Sequence, residues 1–144
     1  MELIEIKNNP WLLTREAFEI YGQCMYKASF QKYADEIENV RESSDCRIFA
    51  CEDSGEYKGI IVLKLIVEDS AEIVGISVKK ELEKMGIGRF MIFSAAESLH
   101  LKKLNAETDG DAIGFYERTG FSVKPFIRHF RDGDVTRYKC SLSL

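Results

Sequence analysis

The residues whose type and spacing most clearly indicate a ligand site are two glycines that open a predicted helix. The sequence Gly86-Ile87-Gly88 ends a loop and begins an apolar stretch of helical periodicity that runs to Leu99. Glycines there let a ligand approach the backbone, and the unpaired N–H groups of the first turn, at the positive end of the helix dipole, favour phosphate oxygens. The alternative is that the two glycines form a tight turn and bind nothing, because glycine is the default residue for unusual backbone angles.

Two familiar phosphate-binding loops do not fit this glycine pair. A P-loop requires Gly-Lys followed by Ser or Thr, whereas Gly88 is followed by Arg89 and Phe90. A dinucleotide-binding fingerprint requires a third glycine at the position of Met91. The pair therefore predicts a phosphate site of another kind, or a turn.

The segments around the glycines predict a sheet with helices on both of its faces. Strands are predicted for 2–6, 47–51, 58–67, 71–78, 104–108, 121–130 and 135–143. Helices are predicted for 11–25, 30–41, 87–99 and 112–119. Gly75, inside the fourth strand, predicts a bulge or a close backbone approach.

The composition sets the class of protein and excludes several partners. The 144 residues are 45% apolar and 31% charged, which predicts one globular domain spanning 1–144. The net charge of -4 and the absence of a basic block argue against a nucleic-acid partner. No apolar run approaches the roughly 18 residues of a membrane span, and the N-terminus lacks a signal core, so we expect a cytoplasmic protein without a membrane partner.

The cysteines and histidines do not have the spacing of a metal site. No Cys-x-x-Cys pair is present, and the two histidines are not spaced to complete a zinc site. We therefore expect no metal and four buried, reduced thiols. The residues concerned are Cys24, Cys46, Cys51, Cys140, His100 and His129.

Two blocks of the sequence resemble the GNAT superfamily of acyl-CoA N-acyltransferases. The stretch Glu83-Lys84-Met85-Gly86-Ile87-Gly88 is similar to the family's Gln/Arg-x-x-Gly-x-Gly/Ala, and 109–121 is similar to its Asn-x-x-Ala-x-x-Phe-Tyr-x-x-x-Gly-Phe. The likeness is strong over 58–124. It implies an α/β (mixed α+β) fold with a mostly antiparallel, twisted sheet of about seven strands and about four helices, in which strands 4 and 5 splay apart.

The resemblance also implies that acetyl-CoA is the cosubstrate. Its pantetheine would pair with the fourth strand and its pyrophosphate would lie on the amides before the helix, beside the positive charges of Lys84 and Arg89. Two residues depart from the family pattern: Glu83 replaces Gln or Arg, and Asp109 replaces Asn. The implied cofactor-binding residues are Ile76, Ser77, Val78, Glu83, Lys84, Met85, Gly86, Ile87, Gly88, Arg89 and Asp109.

The resemblance assigns two catalytic roles. Tyr116 occupies the position of the family's general acid, which protonates the departing thiolate. Glu72, in Ala71-Glu72-Ile73-Val74, is similar to the general base of the histone-acetyltransferase branch, with water relays as the alternative. Strand alternation places Glu72 on one face with Val74, Ile76 and Val78, unless a bulge at Gly75 shifts the register.

The acceptor and the oligomeric state are less visible in the sequence. Aromatic residues of the first two helices and the turn at Asp132-Gly133 are candidates for the wall of an amine pocket, although core packing is the simpler explanation for the aromatics. The aromatics are Tyr21, Tyr26, Phe30 and Tyr33. We expect an amine-bearing substrate, and the family implies a possible homodimer. The alternative to an enzyme is a non-catalytic acyl-CoA-binding or interaction module of the same fold.

Overall fold

The computed structural model describes residues 1–144 and contains one seven-stranded sheet of order β1-β2-β3-β4-β5-β7-β6. Neighbouring strands are antiparallel except β4 and β5, which are parallel. This arrangement confirms the predicted mixed, mostly antiparallel sheet. The strands are β1 Glu2–Glu5, β2 Cys46–Asp53, β3 Glu56–Val67, β4 Ser70–Val78, β5 Lys103–Thr108, β6 Ser122–Phe130 and β7 Gly133–Ser143.

Four α-helices cover the sheet, two on each face. They are α1 Arg15–Tyr21, α2 Phe30–Glu42, α3 Ile87–Ser98 and α4 Ile113–Thr119, with short 3-10 turns at Pro10–Leu13, Gly22–Cys24 and Lys80–Leu82. The predicted continuous helix over 11–25 is wrong, because the side chain of Thr14 caps α1 by accepting the Ala17 N–H and divides the segment. None of the helices combines the length and apolarity needed to cross a membrane.

Each face of the sheet has its own core. Against α3 and α4 pack residues such as Ile73, Ala106 and Leu142, and against α1 and α2 pack residues such as Ile60 and Val62. Three of the four cysteines are buried as predicted, whereas Cys24 is exposed, and no disulfide forms. The two faces matter for function because they separate the groups that line the cleft described below.

A bulge in β4 fixes which residues share a face. Gly75 pairs with Val62 of β3, but the next pair is Ile73 with Leu63, so Val74 is an extra residue on β4. A Cβ atom on Gly75 would lie 2.1 Å from the Tyr21 hydroxyl oxygen. The bulge predicted from Gly75 is therefore confirmed, and the side chain of Tyr21 approaches the backbone there.

Candidate active site

A cleft opens where β4 and β5 separate. The two strands pair only from Ser70 to Ile73 of β4, so the edge of β4 from Val74 to Val78 has no strand partner on the β5 side. The cleft has a volume of about 1700 Å³ and lies between β4, β5, the start of α3 and the start of α4. The predicted splay of strands 4 and 5 is confirmed, and it leaves backbone hydrogen-bonding groups of β4 available to a ligand.

The start of α3 forms one end of the cleft. Gly86 has φ of 85° and precedes the helix without a side-chain cap, and Lys84 also has a positive φ, of 65°. The backbone N–H groups of residues 84–89 donate no hydrogen bond within the protein. Six adjacent unpaired N–H groups at the positive end of a helix form a site suited to phosphate oxygens.

The two glycines of the motif have different structural roles. Gly86 adopts a left-handed conformation that few other residues tolerate. Gly88 is helical, but a Cβ atom there would lie 2.8 Å from Cε1 of Phe115. Gly86 therefore shapes the loop, whereas Gly88 permits the close packing of α3 against α4.

Charged side chains of both signs surround this end of the cleft. Lys84 and Arg89 line it as predicted, and Arg118 of α4 adds a third cation that the sequence reasoning did not single out. Arg89 also lies over the ring of Phe93, at 4.8 Å from its centroid. Glu83 also lines the cleft and makes no ion pair.

Some predicted cofactor residues contribute differently from the expectation. Met85 is 67% exposed and does not line the cleft, whereas Glu83, Lys84, Gly86, Ile87, Gly88 and Arg89 do. Asp109 lines the cleft, but its Oδ1 accepts the N–H groups of Asp111 and Ala112 at 3.0 and 3.2 Å. Because that contact needs only an acceptor, Asp serves there as well as Asn.

The three predicted residues at the end of β4 point to opposite faces. Ile76 and Val78 pack toward the α3 face, beside the phosphate end of the cleft. Ser77 faces α1, where its hydroxyl donates to the Ile20 carbonyl at 2.5 Å. The Gln23 amide donates to the Ser77 hydroxyl oxygen and to the Val78 carbonyl at 3.2 and 2.9 Å. Gln23, which no motif indicated, thus ties the end of β4 to the segment after α1.

Tyr116 lies on the wall of the cleft. Its ring packs edge-on against Phe115 and Phe121, with centroids 5.2 and 5.1 Å away. The Tyr116 hydroxyl has no partner within the protein, yet the structure contains no buried side-chain oxygen without a partner. The hydroxyl is therefore accessible from the cleft. Burial, followed by the nearby thiols of Cys140 and Cys24, raises the pKa of Tyr116 above its usual range, so the phenol remains a proton donor at neutral pH.

Glu72 does not line the cleft. Because Val74 is an extra residue, Glu72 points away from Ile76 and Val78 and toward the face that carries α1 and α2. The shared face with Ile76 and Val78 expected from simple alternation is therefore wrong. Glu72 lies beside Asn105 of β5 and opposite Lys64 of β3, and it is half-buried.

The structure also adds residues to the cleft that the sequence reasoning missed. Some come from the segment after α1 and others from β5, β6 and β7. Of the predicted acceptor-side aromatics, Tyr26 lines the cleft, Tyr21 and Tyr33 belong to the core, and Phe30 does neither. The added residues are Gln23, Cys24, Lys27, Glu107, Arg118, Phe130, Val135 and Arg137.

The comparisons with known proteins agree with this geometry. The sequence pattern of the Acetyltransferase (GNAT) family matches residues 11–121. The chain belongs to this family. Over 114 residues it is 29% identical to a Bacillus subtilis (strain 168) protein named as the uncharacterized N-acetyltransferase YvbK, with 70% of each chain covered.

Solved GNAT structures share the fold of this GNAT chain. A GNAT-family protein from Desulfovibrio desulfuricans superposes with a TM-score of 0.76 at 17% identity, over 99% of this chain and 98% of that one. A Bacillus subtilis acetyltransferase in complex with CoA superposes with a TM-score of 0.67 at 18% identity, over 91% of this chain and 93% of that one. At these identities the likeness establishes the fold.

Cys24 offers a chemical probe of the cleft in this GNAT protein. Cys24 is exposed as a whole residue, but its thiol donates to the Tyr21 carbonyl at 3.1 Å, and desolvation of the sulfur raises the pKa of the thiol to about 11. We expect Cys24 to be alkylated at pH 8 at least about tenfold more slowly than a free cysteine, faster as the pH rises toward 11, and more slowly with acetyl-CoA bound. Mass spectrometry of the modified site would measure this.

The control for that labelling is Cys24→Ser. The three remaining cysteines are buried, so the native variant should take up no reagent. Rapid alkylation of Cys24 at pH 8, or alkylation that acetyl-CoA does not slow, would contradict the placement of its thiol.

Proposed function

We propose that this protein is an acetyl-CoA-dependent N-acetyltransferase that transfers the acetyl group to an amine within a ternary complex. The observation that carries the proposal is the partnerless Tyr116 hydroxyl, which opens into a cleft that ends at the unpaired N–H groups of residues 84–89. A proton donor and a phosphate site in one cleft are what acyl transfer from a CoA thioester requires.

The residues present fit acetyl-CoA. The unpaired edge of β4 from Val74 to Val78 can pair with the amides of pantetheine, as one strand pairs with another. The N–H groups of residues 84–89, with Lys84, Arg89 and Arg118 beside them, can hold the pyrophosphate. CoA is bound in the solved Bacillus subtilis acetyltransferase of this fold, which supports the same cosubstrate here.

The chemistry divides between the cosubstrate and the chain. Bound acetyl-CoA supplies an acetyl group activated as a thioester. A backbone N–H of the free β4 edge donates to the thioester oxygen, where negative charge develops during attack by the amine. Tyr116 donates its hydroxyl proton to the departing sulfur, and its raised pKa keeps that proton in place at neutral pH.

Removal of a proton from the amine needs a second group. Glu107 lines the cleft, but hydrogen bonds from Arg128 and Arg137 lower its pKa and make it a poor base. Glu72 does not line the cleft, so it accepts the proton only through water. Glu72 therefore remains the proposed general base, acting through a water molecule.

The role of Glu72 can be tested with Glu72→Gln. We expect kcat/KM to fall about tenfold near pH 6.5, where the free amine is scarce, and the loss to shrink as the pH approaches the pKa of the amine. Glu68→Gln, in the exposed turn before β4, is the matched control. A pH profile identical to that of the parent protein would remove Glu72 from the mechanism.

The overall function is tested by incubating the protein with acetyl-CoA and a panel of amines and measuring the released CoA thiol. We expect amine-dependent release and an N-acetylated product in the mass spectrum. If acetyl-CoA binds but no amine in a broad panel is acetylated, the protein is instead the non-catalytic module considered from the sequence.

A further inference from the structure

The two faces of the sheet contribute different walls to the cleft. The phosphate end of the cleft, at the start of α3, belongs to the face on which Ile73 and Ala106 are buried. Glu107 follows Ala106 in β5, so its side chain projects from the opposite face. Arg137 of β7 reaches Glu107, and both line the cleft. These two residues therefore lie on the wall opposite the phosphate end, which is the wall left for the acceptor amine. We call this wall the acceptor side.

The cluster around Glu107 carries a net positive charge, because one carboxylate is paired with two guanidinium groups. Arg128 holds the Glu107 carboxylate with two hydrogen bonds, from Nε to Oε2 at 3.2 Å and from Nη2 to Oε1 at 2.5 Å. Arg137 adds only one, from Nε to Oε2 at 3.1 Å. Neither terminal nitrogen of Arg137 makes a hydrogen bond, although the side chain is only 28% exposed. A half-buried guanidinium in the cleft thus keeps four N–H donors unused.

The excess of positive charge continues across the neighbouring strands. Arg128 and Lys139 lie over the ring of Phe126, at 5.3 and 4.9 Å from its centroid. This basic face belongs to a chain whose net charge is -4. A local patch of the opposite sign points to an anionic ligand.

The acids near this face do not cancel the excess. Asp132 and Asp134 also line the cleft, but neither contacts Arg137. Asp134 is paired with Nδ1 of His129 at 2.7 Å, and both belong to the other face of the β6–β7 hairpin. Asp132 lies at the exposed tip of the hairpin. Glu107 is therefore the acid in contact with Arg137, and it is already saturated by two guanidinium groups.

Resting on the function proposed above, we propose that the acceptor is an amine that also carries a carboxylate, and that Arg137 binds this carboxylate through its terminal nitrogens. A guanidinium group and a carboxylate form two parallel hydrogen bonds, which fix position as well as charge. Arg137 is thus a specificity-determining residue. Glu107 holds it in place through Nε and leaves the other nitrogens for the substrate.

The experiment compares acceptors in matched pairs that differ only in the carboxylate. Suitable pairs are an α-amino acid and its amide, β-alanine and its amide, and a dipeptide with a free or amidated C-terminus. Rates are expressed per concentration of unprotonated amine, because amidation lowers the pKa of the amine. We expect at least one acid to exceed its amide in kcat/KM by about tenfold to a hundredfold.

The variant that tests the assignment is Arg137→Gln. Arg128 retains both of its hydrogen bonds to Glu107, so the local fold should persist, and acetyl-CoA affinity should be unchanged. We expect Arg137→Gln to remove the preference for the acid and Arg137→Lys to restore part of it. Lys124→Gln, on β6 but outside the cleft, should leave the preference intact.

The outcomes separate this inference from the proposed function. If acetyl-CoA does not bind, the proposed function fails before any acceptor is added. If acetyl-CoA binds but the amides react as well as the acids, or no acid is acetylated, or the preference survives in Arg137→Gln, the inference is overturned.

Discussion

Tyr116→Phe should lower kcat about a hundredfold, because the phenol proton is the one delivered to the departing sulfur. The affinity for acetyl-CoA should change less than about twofold, and the free energy of unfolding less than about 0.5 kcal/mol. The hydroxyl has no protein partner to lose, and the ring of Phe keeps the packing against Phe115 and Phe121. Steady-state kinetics and titration of acetyl-CoA measure these quantities separately.

Tyr138→Phe is the matched control for this substitution. Tyr138 is half-buried on β7 and does not line the cleft, so its hydroxyl should not affect kcat. Undiminished turnover of Tyr116→Phe, with the chemical step shown to limit the rate, would remove Tyr116 as the acid.

Gly75→Ala should destabilise the fold by about 2 kcal/mol and also impair catalysis. The new methyl group would lie 2.1 Å from the hydroxyl oxygen and 2.7 Å from Cζ of Tyr21, whose side chain is buried against α2. Either Tyr21 or β4 must move. A shift of β4 would displace the strand edge that we assign to the thioester. Chemical denaturation measures the loss of stability.

The double variant Tyr21→Phe/Gly75→Ala tests the cause of that loss. Removing the hydroxyl relieves the nearest contact, so part of the stability should return, and the two substitutions should not be additive. Gly110→Ala is the control, since a Cβ atom there meets its nearest neighbour at 3.8 Å. A Gly75→Ala protein as stable as the parent would show that the bulge is looser than the structure indicates.

The local patterns in the sequence predicted most of the fold and the phosphate end of the cleft. A glycine inside a strand or at the start of a helix indicates unusual backbone geometry. The structure shows a close contact at Gly75 and a left-handed conformation at Gly86. The sequence also contains the signal for the start of α1, because threonine is a preferred N-cap residue and Thr14 directly precedes Arg15. The predicted helix over 11–25 ignored it because apolar periodicity continues across the break.

The acceptor side could not be predicted from local patterns. The contacts of Glu107 with Arg128 and Arg137 join residues 21 and 30 positions away in the chain. No local motif places them together, because β7 lies between β5 and β6 and sets the pairing. The direction of Glu72 likewise depends on one extra residue, Val74, whose position in the ladder is fixed by pairing with β3.

The most direct test of the account is an isothermal titration of the purified protein with acetyl-CoA, in a buffer free of phosphate. We expect one site with a dissociation constant in the micromolar range. Acetyl-CoA at about 100 times that constant should raise the free energy of unfolding by roughly 2.7 kcal/mol. An absence of binding heat, together with an unchanged melting temperature, would contradict the assignment of the cleft to acetyl-CoA and with it the proposed function.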